Sequence, residues 1–130
     1  MTMVGVADMG QPLGAARFPM GGSRSLELNM PDGTQLMAEV GRHLSAGEGF
    51  TIATLNLDHL TKLRDDVAFQ DAYLATTHVV ADGRPIVWLS RLQGRAVSLV
   101  PGSELVWPLC ALAARLDAPV ALVGATPEAL

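Results

Sequence analysis

The stretch Thr77-His78-Val79-Val80-Ala81-Asp82-Gly83-Arg84-Pro85-Ile86-Val87-Trp88-Leu89 decides the fold. Its opening run is short and apolar without the in-out alternation of a half-buried strand, so it reads as a strand covered on both faces. Asp82-Gly83 ends that strand. Pro85 then stands in the first turn of a helix, where its missing N–H costs nothing and its fixed φ is already helical. Ile86, Trp88 and Leu89 carry the helix to Leu92, and Gly94 stops it. A two-faced strand feeding straight into a helix is the unit of a parallel sheet.

Similar units lie on either side. Residues 50–55, Phe-Thr-Ile-Ala-Thr-Leu, read as a buried strand with Asn56 and Asp58 at its carboxyl end. Leu60, Leu63 and Val67, then Phe69, Ala72 and Tyr73, predict one or two helices with a break at Asp65-Asp66. Upstream, residues 26–30 alternate like a strand, Pro31-Asp32-Gly33 makes a turn, and Thr34 is placed to cap a helix over 35–45. Leu36, Met37, Val40 and Leu44 share one face of it. Residues 1–25, rich in Gly, Met and Pro and without a period, predict a flexible N-terminal tail ahead of an α/β unit over 26–130. Downstream, residues 97–100 are extended, Pro101-Gly102-Ser103 turns, and Ser103 caps a long apolar helix to about residue 116. Residues 119–124 read as a third buried strand, and Thr126-Pro127-Glu128 as a helix start. The expected fold class is α/β, a parallel sheet with helices on both faces, cut short after its third core strand.

Composition agrees. The 130 residues are 49% hydrophobic, 17% charged and only 5% aromatic, so the apolar content is aliphatic, with a mean hydropathy of +0.30. That excludes a largely disordered chain, a collagen-like repeat and a disulfide scaffold. Net charge is −4, and the nine basic residues are scattered from Arg17 to Arg115, so no cationic face for nucleic acid is expected. A single cysteine, Cys110, fits a reducing cytoplasm. No signal-peptide pattern opens the chain, and no apolar run is long enough to span a bilayer.

In an open parallel sheet, ligands bind beyond the carboxyl ends of the strands. Asp82 is the sharpest candidate there: a carboxylate behind an apolar run can serve as a general base, its pKa lifted by partial desolvation. Asp-Gly is also a plain turn. Thr54 and Asn56 can hold sugar hydroxyls or simply cap the strand end. Gly124, Ala125 and Thr126 open a helix, a place where phosphates bind, but lack both nucleotide-loop glycine patterns. His43, His59 and His78 are not spaced as metal ligands, and neither H-E-x-x-H nor a C-x-x-C pair occurs, so no metal site is expected. Asp65 and Asp66 are adjacent and read as a solvated patch, not as a D-x-D clamp on a metal-bound nucleotide. Asp58-His59 reads as a surface helix start, and Trp88 and Trp107 as core or interface anchors.

Three ordered elements carry a resemblance: Thr54-Leu55-Asn56, then Asp82-Gly83-Arg84-Pro85-Ile86-Val87-Trp88 through to Gly94, then Val100-Pro101-Gly102-Ser103-Glu104-Leu105. They resemble the T-x-N, D-G-x-x-x-V-W and V-x-G-[ST]-[DE]-L elements of the WecG/TagA/CpsF glycosyltransferases. The resemblance implies a Rossmann-like fold. It also implies inverting, metal-independent transfer of a hexosamine-type sugar from a UDP-sugar to a polyprenol-pyrophosphate-linked acceptor, in cell-surface polysaccharide synthesis. No cofactor is implied. Asp82 takes the position of the general base, with Thr54, Asn56, Gly83, Gly102, Ser103 and Glu104 around the substrates. Leu99 stands where a basic residue is common, and Glu104 where Asp is common. The resemblance further implies that a second half, with much of the UDP pocket and a membrane-associating tail, lies outside this sequence. The expected location is the cytoplasm, at the inner face of the membrane, with a homo-oligomer among the expected partners; the alternative to a self-sufficient enzyme is a truncated, non-catalytic remnant or a half-enzyme that needs a companion chain. A receiver-like signalling domain is set aside because the sole lysine, Lys62, falls in the wrong place for it.

Overall fold

The computed structural model describes residues 14–124 and 126–129. Two strands, β1 (Ala16–Pro19) and β2 (Ser25–Leu28), pair antiparallel, with Ala16 opposite Leu28 and Pro19 opposite Ser25. Helix α1 (Gly33–Ala46) follows, then β3 (Ile52–Leu55), α2 (Leu57–Lys62), α3 (Val67–Leu74) and β4 (His78–Ala81). Helices α4 (Arg84–Leu92) and α5 (Gly102–Arg115) come next, and a 3-10 turn covers Pro127–Ala129. Strands β3 and β4 are parallel, Ile52 opposite His78 and Leu55 opposite Ala81. Beyond β4, Leu99 makes one parallel bridge to Ala81, and the Val100 N–H donates to the Ala81 carbonyl at 2.7 Å. The fold is mixed α/β around a small parallel sheet.

Strand β4 is the centre, with all four residues buried. Successive side chains of a strand point to opposite faces, and here both faces are covered. Val79 and Ala81 pack with Leu55, the hairpin residues Phe18, Leu26 and Leu28, Leu63 of the α2–α3 connection, Tyr73 of α3 and Ile86 of α4. Val80 faces the other way, into Leu36 and Val40 of α1, Val100, and Leu105 and Leu112 of α5. The two-faced reading therefore holds for residues 78–81, while Thr77 is exposed and precedes the strand.

Several expectations need correction. The N-terminal tail does not reach residue 25: Ala16, Phe18 and Met20 alternate inward with Leu26 and Leu28, which ties this segment into the core. Residues 1–13 of that tail lie outside the described residues. Asp32, not Thr34, caps α1, its Oδ1 accepting the Gln35 N–H at 2.8 Å. Helix α5 begins at Gly102 behind Pro101, so Ser103 lies inside the first turn and makes no cap. Residues 119–124 form no strand. Val120, Leu122 and Val123 are 55%, 76% and 94% exposed, and an apolar run without a ladder partner has nothing to make it a strand. Trp88 and Trp107 are exposed at 58% and 80%, which removes the core half of their reading and leaves the interface half. No helix among the described residues is long and apolar enough to cross a membrane.

Candidate active site at the carboxyl end of the sheet

The site begins where β3 and β4 end. The Asp82 N–H donates to the Leu55 carbonyl at 2.8 Å, which continues the parallel ladder by one rung and fixes where the Asp82 side chain starts. Gly83 follows with φ of +132° and ψ of 141°, a backbone conformation open essentially to glycine alone. The chain thereby swings from the strand into α4 within one residue. Asp82 is left half-buried between the sheet and the start of α5.

The opposite wall is Gly102. Its N–H lies 3.4 Å from Asp82 Oδ2, a long contact at the amino end of a 14-residue helix whose dipole favours negative charge there. A Cβ on Gly102 would sit 3.3 Å from both Oγ1 and Cγ2 of Thr54 and 3.6 Å from Asp82 Oδ2. Thr54, Asp82 and Gly102 thus converge from β3, β4 and α5, three elements distant in sequence. The other sequence-predicted residues do not join this point. Asn56 spends its side chain capping α2, Oδ1 accepting the His59 N–H at 2.8 Å. Ser103 and Glu104 are exposed on the first turn of α5. Glu104 lines a cleft of about 550 Å³ with Asp32, Thr34, Leu99, Pro101 and Pro108. Pro108 cannot donate to the Glu104 carbonyl, so that acceptor is left without its helical partner beside the cleft. Gly124 and Thr126 are exposed, and Ala125 lies outside the described residues.

Behind the site sits a pair that sequence reasoning assigned elsewhere. The Tyr73 hydroxyl donates to the Thr54 carbonyl at 3.2 Å and lies 2.7 Å from His59 Nδ1. With the Tyr73 proton directed at Thr54, the His59 ring nitrogen donates. The His59, Phe69 and Tyr73 rings meet edge to face, so His59 is a packed support for the Thr54-Leu55-Asn56 segment rather than a plain surface residue. Burial, and then the nearby Asp82 carboxylate, push the Tyr73 hydroxyl up to about 12.

A second polar cluster lies at the other end of β4. His43 and His78 are both buried, their Nε2 atoms 3.0 Å apart, with Phe50 stacked on His43 at 4.9 Å. Burial first, and His43 next, push the His78 imidazole below its usual pKa, with Glu39 acting in the opposite sense. Sequence reasoning passed over Glu39, whose i, i+4 spacing to His43 on α1 is the one signal that could have found part of this cluster. The approach of His78 was not legible.

Residues 24–130 match the glycosyl transferase WecG/TagA/CpsF family. The chain belongs to that family. Membership spans β2 through the 3-10 turn and so takes in every residue of the converging site. No curated protein and no solved structure matches the chain. Family membership makes the chain glycosyltransferase-like, and the three motif elements are the ones whose residues meet at Asp82.

Proposed function

We propose that the chain serves an inverting, metal-independent glycosyl transfer on a Rossmann-like frame, with Asp82 as general base. The donor is a UDP-linked hexosamine-type sugar, and the acceptor a sugar on a polyprenol pyrophosphate at the cytoplasmic face of the membrane. The observation that carries this reading is the convergence of the Asp82 carboxylate with Thr54 and Gly102 at the carboxyl end of the sheet. Inversion needs one base on the acceptor side. The acceptor hydroxyl gives its proton to an Asp82 oxygen as its own oxygen bonds the anomeric carbon, and the bond to UDP breaks with its electron pair leaving on the diphosphate. Thr54 Oγ1, beside Gly102 and Asp82, orients the acceptor in this reading. The absence of a D-x-D pair supports a donor site that needs no metal clamp. The test is transfer from UDP-sugars to a lipid-linked acceptor analogue. Asp82→Asn is expected to lower the rate by about 10²–10⁴-fold, the usual contribution of a positioned base. Undiminished transfer by that variant overturns the assignment.

A second reading has its own observation. Trp107 on α5, and Leu122 and Val123 beyond that helix, stand 80%, 76% and 94% exposed, large apolar side chains of the kind a partner chain covers. In this reading the chain binds substrate as a half-enzyme and transfers sugar only with a companion chain covering that surface. A purified chain that is monodisperse and active alone rules it out.

A further inference from the structure

We propose that Glu39, His43 and His78 form a binding site for a divalent transition-metal ion, with zinc the best match, at the amino end of β4. One ligand atom from each of the three lies within 4.8 Å of the others. The donor set of two imidazoles and one carboxylate is the mixed nitrogen–oxygen set zinc accepts, whereas magnesium and calcium call for oxygen alone.

Three features distinguish this cluster from a chance meeting of polar side chains. First, the tautomer of His43 is fixed. Its Nδ1 lies 3.1 Å from Glu48 Oε2, closer than Arg42 Nη2, which stands 3.4 and 3.5 Å from the two ring nitrogens; a carboxylate only accepts, so this shortest contact puts the proton on Nδ1 and leaves the Nε2 lone pair facing inward. A carboxylate holding the outer nitrogen of a ligand histidine is the usual second layer of a zinc centre. Second, that lone pair faces His78 Nε2 at 3.0 Å. Two nitrogens bound to one tetrahedral zinc at the usual ~2.05 Å stand about 3.3 Å apart, so small side-chain rotations admit an ion between them. Third, Arg42 positions both carboxylates, Nε to Glu39 Oε2 and Nη1 to Glu48 Oε2, each at 3.0 Å. An open cleft of about 430 Å³ bounded by Glu39, His78, Gln35 and Asn29 gives an ion a path in and leaves room for a water as fourth ligand.

The site lies at the opposite end of β4 from Asp82, so it takes no part in sugar transfer. Its role is to clamp α1 onto the sheet, because its ligands come from one helix and one strand. The competing arrangement is a bare His43–His78 hydrogen bond, in which His78 Nε2 carries a proton and no ion binds.

The test is zinc titration of the full, tag-free chain by calorimetry, with elemental analysis after dialysis and cobalt as a spectroscopic stand-in. The expected result is one equivalent of zinc, a cobalt spectrum of tetrahedral character, and a thermal midpoint raised by zinc and lowered by chelator. Stoichiometric binding is expected to be lost in His78→Gln and weakened in Glu39→Gln, a half-exposed position whose change leaves the fold standing. Glu48→Gln is expected to weaken affinity about 10–100-fold by freeing the His43 ring. No saturable binding by the unaltered chain, or binding undiminished in both His78→Gln and Glu39→Gln, overturns the site.

Discussion

Tyr73 is the only tyrosine in the chain, so its ionisation can be followed alone by ultraviolet absorbance. The folded chain is expected to titrate near 12 and the denatured chain near 10. Because the folded-state value is the higher one, the neutral hydroxyl is favoured by folding. The associated stability is complete below pH 10 and disappears as pH rises from 10 toward 12, where the unfolded chain binds fewer protons. A folded-state midpoint near 10 would mean the hydroxyl is not buried beside the Asp82 carboxylate. At this scale the sequence was half legible. Asp82 and Thr54 could be picked out because strand ends are where ligands sit, and Gly102 because it stands within a motif. Tyr73 and His59 could not, since an aromatic at helical spacing looks like core and a histidine at a helix start looks like surface. Asn56 was open in the sequence for a related reason: a short amide at a strand end serves either a ligand or a cap, and its Oδ1 caps α2 through the His59 N–H.

Helix α1 shows what a single cap contributes to an element. Asp32 accepts from both the backbone N–H of Gln35 at 2.8 Å and its side-chain amide at 3.1 Å. Asp32→Ala is expected to cost about 1 kcal/mol and lower the thermal midpoint by a few degrees, read by circular dichroism. A variant as stable as the parent would mean another group takes over the cap. The elements at the centre were legible because they are doubly constrained: residues 52–55 and 78–81 are apolar runs whose flanks carry turn residues, and neighbours meet them on both faces. The errors fell at the edges. Residues 16–19 hide a strand in a glycine-rich context, because the hairpin is specified by its partner at 25–28 rather than by a local period. Residues 119–124 have the composition of a strand and no strand beside them, and composition alone does not make a ladder.

Over the whole molecule, β4 is held from every side. The His78 N–H donates to the Thr51 carbonyl at 3.0 Å, the Val79 N–H to Asn29 Oδ1 at 2.8 Å, and the Asp82 N–H to the Leu55 carbonyl at 2.8 Å. On the facing wall the Gly102 N–H has, among the described residues, only the 3.4 Å contact with Asp82, and the exposed Ser103 and Glu104 follow it, between the buried Val100 and Leu105. Amide groups exchange with solvent hydrogen through local opening, and opening is cheapest where buried contacts are fewest. Hydrogen-exchange mass spectrometry or NMR is expected to find His78, Val79 and Asp82 among the slowest amides and Gly102 markedly faster, and equal rates would contradict this ranking. On that ranking the two walls of the candidate site keep different clocks: the carboxylate is expected to ride on the strand that opens last, and the first turn of α5 opposite it to open and reclose more often.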